Sequence, residues 1–191
     1  HARPWAAEPL GAARRVAIVG NVAGGKSTLA RVLSEATGIP HREYDRLLWR
    51  GAELLSDREA TALEQPWLAE DIWIIDGMGA WEAIERRLDR ADGIIFVDLP
   101  LLQHCAWAAQ RRLDQARRGE TDPREAVLDL ETLFRLMAIT QKRTRPKILA
   151  YLEAHPEKQI VHLRSKTALQ RMVEDFRKQA VARRARPPVA G

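Results

Sequence analysis

Val16-Ala17-Ile18-Val19-Gly20-Asn21-Val22-Ala23-Gly24-Gly25-Lys26-Ser27-Thr28-Leu29-Ala30-Arg31-Val32-Leu33 decides the reading of this chain. Its middle, Gly20 to Ser27, is G-x-x-x-x-G-K-S, lying between a short apolar run and a helical repeat. Strand, glycine loop and helix in that order form the setting in which this pattern makes a phosphate-binding P-loop. The glycines let backbone N–H groups close on phosphate oxygens. The helix that begins near Lys26 aims its unpaired N–H groups and its dipole at the same anion. Lys26 can reach the β- and γ-phosphates, and the Ser27 hydroxyl can ligate Mg²⁺. The expected ligand of Gly20, Asn21, Val22, Ala23, Gly24, Gly25, Lys26, Ser27 and Thr28 is a nucleoside triphosphate.

Working outward, short apolar runs alternate with helical patterns. Strands are expected at Arg15–Val19, His41–Tyr44, Ile72–Asp76, Gly93–Asp98 and Gln159–Leu163. Helices are expected at Lys26–Thr37, Asp57–Ala69, Trp81–Arg90, Leu101–Arg117, Pro123–Gln141, Pro146–Ala154 and Lys166–Arg183. Alternation of this kind predicts right-handed crossovers and a three-layer α/β/α fold around a parallel sheet. The 191 residues suit a single domain over 15–183, with a flexible arm over 1–14 and a flexible tail over 184–191. A polar turn, Arg117-Arg118-Gly119-Glu120-Thr121-Asp122-Pro123, separates two long helices.

With 46% apolar and 30% charged residues, the composition is that of a globular rather than a disordered chain. No apolar run reaches the length of a membrane span. The first residues, His1-Ala2-Arg3-Pro4-Trp5, have no secretory apolar core, and a lone cysteine, Cys105, fits a reducing compartment, so a cytoplasmic protein is expected. The net charge of +5 suits polyanionic partners without choosing among nucleotides, phosphorylated substrates and nucleic acid. His41, His104, His155 and His162 stand apart from one another at no metal-ligand spacing, and no zinc site is expected.

In open parallel sheets ligands gather at the carboxyl ends of the strands. That rule brings Gly20–Thr28, Asp45, Asp76-Gly77 and Asp98 together. Asp76 closes Ile72-Trp73-Ile74-Ile75 and Asp98 closes Ile94-Ile95-Phe96-Val97, so either can serve Mg²⁺ beside Ser27, and the pattern does not separate them. Asp45 follows the second strand. It can take the proton of an attacking acceptor hydroxyl, or cap the helix that follows. Arg111, Arg112, Arg117 and Arg118 crowd the polar turn, where arginines on a moving segment can neutralise a transferring phosphoryl group. Arg112 and Arg118 join Lys26 and Asp45 as candidate catalytic residues. Arg143 and Arg145 form a second basic turn. Among the tryptophans, Trp49 is the candidate stacking wall for an acceptor.

These residues, in this order, resemble the nucleoside-monophosphate-kinase-like P-loop proteins, and in detail the bacterial DNA topology modulation proteins, relatives of adenylate and shikimate kinases. The resemblance rests on Gly20–Thr28, Tyr44-Asp45-Arg46-Leu47-Leu48-Trp49, Trp73-Ile74-Ile75-Asp76-Gly77 and Ile94–Pro100 leading to Arg111-Arg112. Arg145-Pro146-Lys147-Ile148-Leu149 and Leu163-Arg164-Ser165-Lys166 extend it, so that it spans Val16 to Phe176. It implies a five-stranded parallel sheet of order 2-3-1-4-5 in the P-loop NTPase fold, with an acceptor pocket after the second strand. It also implies a small arginine-bearing helical lid near 111–125. Two departures stand out. Asp76-Gly77-Met78-Gly79 replaces the Asp-Gly-Asn-Tyr common in that group, and the Phe-Pro-Arg that follows Asp-Gly in adenylate kinases is missing, which argues against AMP as acceptor.

The resulting expectation is a kinase that moves the γ-phosphoryl of ATP, with Mg²⁺, to an unidentified small acceptor. The alternative is a nucleotide-gated ATPase that binds DNA or another polyanion, although no helix-turn-helix, zinc-finger or stacking signature supports it. No Asn-Lys-x-Asp or Leu-Ser-Gly-Gly segment points to a GTPase switch or an ABC ATPase.

Overall fold

The structure is a computed structural model, and it describes residues 10–11, 13–51, 53–120 and 128–185. Five strands carry the sheet: β1 (Arg15–Gly20), β2 (His41–Glu43), β5 (Trp73–Asp76), β6 (Gly93–Val97) and β7 (Gln159–Leu163). They lie in the order β2-β5-β1-β6-β7, and every pairing is parallel. Counted along the sheet's own strands this is 2-3-1-4-5, the expected order.

The three layers follow from the alternation of side chains along each strand. Val16 and Ile18 of β1, Ile95 and Val97 of β6, and Val161 and Leu163 of β7 point to one face. There they meet α1 (Lys26–Thr37) and α8 (Lys166–Ala185), which pack on each other. Ala17, Val19, Trp73, Ile75, Ile94 and Phe96 point to the other face. They pack on α3 (Asp57–Ala69), α4 (Trp81–Arg90) and α7 (Arg145–Ala154). Strands buried on both sides need continuous β-branched and aromatic runs, which is why the apolar segments were legible.

Between β2 and α3 the chain forms one helical turn, α2 (Tyr44–Leu47), and a small hairpin of β3 (Trp49–Arg50) with β4 (Glu53–Leu54). The strand expected to run through Tyr44 therefore ends one residue earlier. α3 starts with a capping box, Ser56 accepting from the Glu59 N–H while the Glu59 carboxylate accepts from the Ser56 N–H.

After α5 (Leu101–Arg117), α6 (Leu130–Ile139) runs directly through a π-helical turn, Thr140–Thr144, into α7. The expected basic turn around Arg143 and Arg145 is thus a widened stretch of continuous helix. Proline at 146 supplies the reason: it has no N–H to give and its ring crowds the carbonyl four residues back. The turn opens just before it, and the Arg145 N–H reaches five residues back to the Thr140 carbonyl.

The expected flexible arm and tail fall mainly on 1–9 and 186–191, outside the described residues, as does the 121–125 part of the expected lid, whereas its 111–120 part is the end of α5 and the turn that follows it. Where the arm joins the domain, Ala13 is buried and Leu10 packs on the core. Among the described residues, no helix is long and apolar enough to cross a membrane.

Candidate nucleotide and acceptor site

β1 ends against β6 so closely that a Cβ on Gly20 would meet the Val97 carbonyl oxygen at 2.3 Å. Only glycine lets the chain leave the sheet there. The loop is held at several points. Asn21 Nδ2 donates to the Met137 carbonyl of α6 at 2.9 Å, and Asn21 Oδ1 accepts the Val22 N–H at 2.8 Å. The buried His104 ring bonds through Nδ1 to the Val22 carbonyl at 2.9 Å. Burial holds His104 below its ordinary pKa, so the neutral ring donates Nδ1–H.

Lys26 is 5% exposed, and its Nζ spans the loop to the Asn21 carbonyl at 2.8 Å. Burial pushes its ammonium below the ordinary lysine value, against the pull of Asp45 and Asp76. Ser27 and Thr28 remain exposed at the mouth of the loop.

Asp76, at the end of β5, meets the first turn of α1. Ser27 Oγ donates to Asp76 Oδ2 at 2.6 Å, and His41 Nε2 bonds Asp76 Oδ1 at 2.7 Å. Asp45 lies in the first turn of α2, whose N-cap position is Glu43, so Asp45 is not the helix cap that the sequence left open. Its Oδ1 accepts the Met78 N–H at 2.9 Å. The fields of Asp45 and Asp76 both act on Lys26.

Asp98 follows β6 and takes other partners. Arg145 grips it with Nε on Oδ1 at 2.6 Å and Nη2 on Oδ2 at 2.8 Å, and His162 Nε2 adds a bond to Oδ2 at 2.8 Å. Burial alone would raise its pKa, but the Arg145 and His162 bonds outweigh that and hold the carboxyl below the usual range. Both oxygens are therefore engaged, by Arg145 and His162.

The arginines at the end of α5 divide. The positive charge of Arg111 acts on Lys26. Arg112 donates to the Leu128 carbonyl, at the entry to α6. Arg117 pairs with Asp114 at 3.4 Å and Arg118 with Glu120 at 2.8 Å, both on the exposed surface. Trp49 sits half-buried on the β3–β4 hairpin.

No family model matches the chain. It is 25% identical, over 173 aligned positions covering 75% of this chain and 86% of the relative, to an adenylate kinase of Thermosynechococcus vestitus. The shikimate kinase of Acinetobacter baumannii in complex with shikimate superposes with a TM-score of 0.57 at 11% identity, over 95% of this chain and 100% of that one. A gluconokinase of Sinorhizobium meliloti gives 0.49 at 15% identity, over 88% and 92%. The chain shares the three-layer α/β fold of that shikimate kinase.

The site holds residues that sequence reasoning passed over. His41 reads as an isolated histidine until β2 is known to pair with β5 beside Asp76. Its only signal is its place at the start of a strand whose neighbour ends in a carboxylate. Asp98 looks equivalent to Asp76 until Arg145 and His162 are brought to it by elements 47 and 64 positions further along the chain.

Proposed function

We propose that the chain is an ATP-dependent phosphotransferase that moves the γ-phosphoryl group to a small hydroxyl- or phosphate-bearing acceptor. The observation that carries this reading is the 2.6 Å contact between Ser27 and Asp76 beside the buried Lys26, with the Asp45 carboxylate on the flank of the same loop. The adenylate kinase and shikimate kinase likenesses agree with it.

The oxygen donors of Ser27 and Asp76 suit Mg²⁺, a hard cation held in such sites by a hydroxyl and a carboxylate. When bound, Mg²⁺ would neutralise charge on the β- and γ-phosphates. The loop N–H groups of Gly20–Thr28 cradle the phosphates, and Lys26 exchanges the Asn21 carbonyl for phosphate oxygens. Asp45 orients the acceptor hydroxyl and takes its proton as the new O–P bond forms and the bond to the leaving ADP oxygen breaks. Arg111, and the lid arginines if they move, supply positive charge to the transferring group. In this reading Asp76, not Asp98, serves the metal.

Met78-Gly79 after Asp76-Gly77, without the Phe-Pro-Arg of adenylate kinases, disfavours AMP. The test is incubation with Mg·ATP and a panel of nucleosides, nucleotides, polyols and hydroxy acids, with products read by mass spectrometry. A product mass increased by one phosphoryl group, formed at the expense of ATP, is expected from at least one acceptor. ATP binding without any such product, across the panel, would contradict the reading.

A further inference from the structure

α4 presents Arg87 to the interior with a guanidinium that is 0% exposed. A buried charge persists only where it is paired and its N–H groups are used, and every nitrogen of Arg87 is engaged. Nε faces Glu64 Oε1 at 3.0 Å and the Ala83 carbonyl at 3.2 Å. Nη1 donates to the Gly77 carbonyl at 2.9 Å and Nη2 to the Met78 carbonyl. The Tyr44 ring lies beneath, its centroid 4.2 Å from Cζ. Glu64, on α3, is equally buried, and Arg86 approaches its second oxygen at 3.3 Å.

An apolar pair would fill this part of the core as well or better. What it could not do is grip two successive carbonyls. The peptide joining Gly77 to Met78 is planar and trans, so its C=O and its N–H point in opposite directions. Arg87 holds the carbonyl end, and the amide end is the donor to Asp45 Oδ1 at 2.9 Å. Gly77 has φ +128°, and a Cβ there would meet Asp45 Oδ1 at 2.9 Å. Glycine at that hinge leaves the peptide free to rotate unless something holds it. The Met78 side chain ties the same segment to the P-loop, its Sδ accepting the Gly20 N–H at 3.4 Å.

We propose that Arg87, neutralised by Glu64, is a positioning residue of the transfer site: it locks the Gly77–Met78 peptide so that its amide aims the Asp45 carboxylate at the acceptor. Arg87 touches neither substrate; it acts through one peptide plane. The consequence for transfer rests on the phosphotransferase reading, whereas the peptide lock does not.

Removing Arg87 alone would strand the buried Glu64 carboxylate, so the test uses the double variant Glu64→Leu/Arg87→Met, in which an apolar pair replaces the ionic one. Glu64→Gln, which keeps the shape of the core, is the second variant. Hydrogen exchange is read at single amides in the nucleotide-free protein. The Met78 amide is expected to exchange at least ~10-fold faster in the double variant, and faster by a smaller factor in Glu64→Gln, while Ile74 and Ile75 in β5 keep their protection. In the transfer assay kcat is expected to fall ~10-fold or more with the KM for ATP unchanged. Unchanged exchange at Met78 in the folded variants would overturn the proposal. So would a parallel rise at Ile74 and Ile75, which would make Arg87 a core residue and nothing more. A parent protein that phosphorylates no acceptor would defeat the phosphotransferase reading, and the exchange result would still decide the role of Arg87.

Discussion

Lys26 is held in the loop by the Asn21 carbonyl and is pushed toward neutrality by its burial. Its charge is poorly solvated until a phosphate arrives. Lys26→Met is therefore expected to leave the unfolding free energy within about 1 kcal/mol of the parent. Nucleotide affinity should fall at least ~10-fold, and transfer should cease; denaturant titration and calorimetry with ADP test this. The two strand-end aspartates separate in the same way. Asp76→Asn is expected to abolish the dependence of nucleotide affinity on Mg²⁺, because Asp76 is the carboxylate on Ser27. Asp98→Asn should keep that dependence and instead lose about 2 kcal/mol of stability, because it releases Arg145 and His162. The reverse pattern would exchange their roles. At this scale the sequence marks both aspartates as strand ends but cannot assign them, since the partners that divert Asp98 come from α7 and β7.

Among the elements, the π-helical turn sets where α7 points. An α-helix advances by about 100° per residue. Five residues in the π turn sweep about the angle that four sweep in an α-helix, so deleting Gln141 should return the turn to the α register, keep Arg145 on Asp98 and restore the crowding that the turn relieves before Pro146. The expected cost is about 2–4 kcal/mol in urea unfolding, and a neutral deletion would show that the turn relieves no crowding. Long periodic helices and apolar strands are readable because their pattern repeats over many residues. The π turn, α2 and the β3–β4 hairpin are each six residues or shorter, too brief for any period to declare itself. Pro146 signals a helix start as readily as a widened turn within a longer helix.

For the molecule as a whole, the sheet order brings the ends of β2, β5, β1 and β6 to one edge, and the site is assembled from segments far apart in the chain. Acid stability reports on that assembly. The Asp98 pKa is held below its unfolded value, so the stability it contributes is complete above the unfolded value of about 4 and is lost as pH falls through the folded value. Tm should drop below about pH 4 in the parent, and Asp98→Asn should flatten that limb while lowering Tm at neutral pH. The layer architecture and the donor loop are local in sequence and were legible from it. The lock of Arg87 on Gly77–Met78 and the contact of His41 with Asp76 depend on which strands and helices become neighbours, and no spacing along the chain encodes that.

The phosphotransferase reading requires one site that holds the donor on Lys26 and Ser27 and the acceptor on Asp45. Single-turnover transfer from radiolabelled Mg·ATP to the acceptor found in the panel, measured for the parent and Asp45→Asn at matched ATP occupancy, tests it most directly. ATP binding is expected to be retained in Asp45→Asn while the transfer rate falls by about 10²–10⁴. Equal transfer rates for the two proteins at equal ATP occupancy would contradict it.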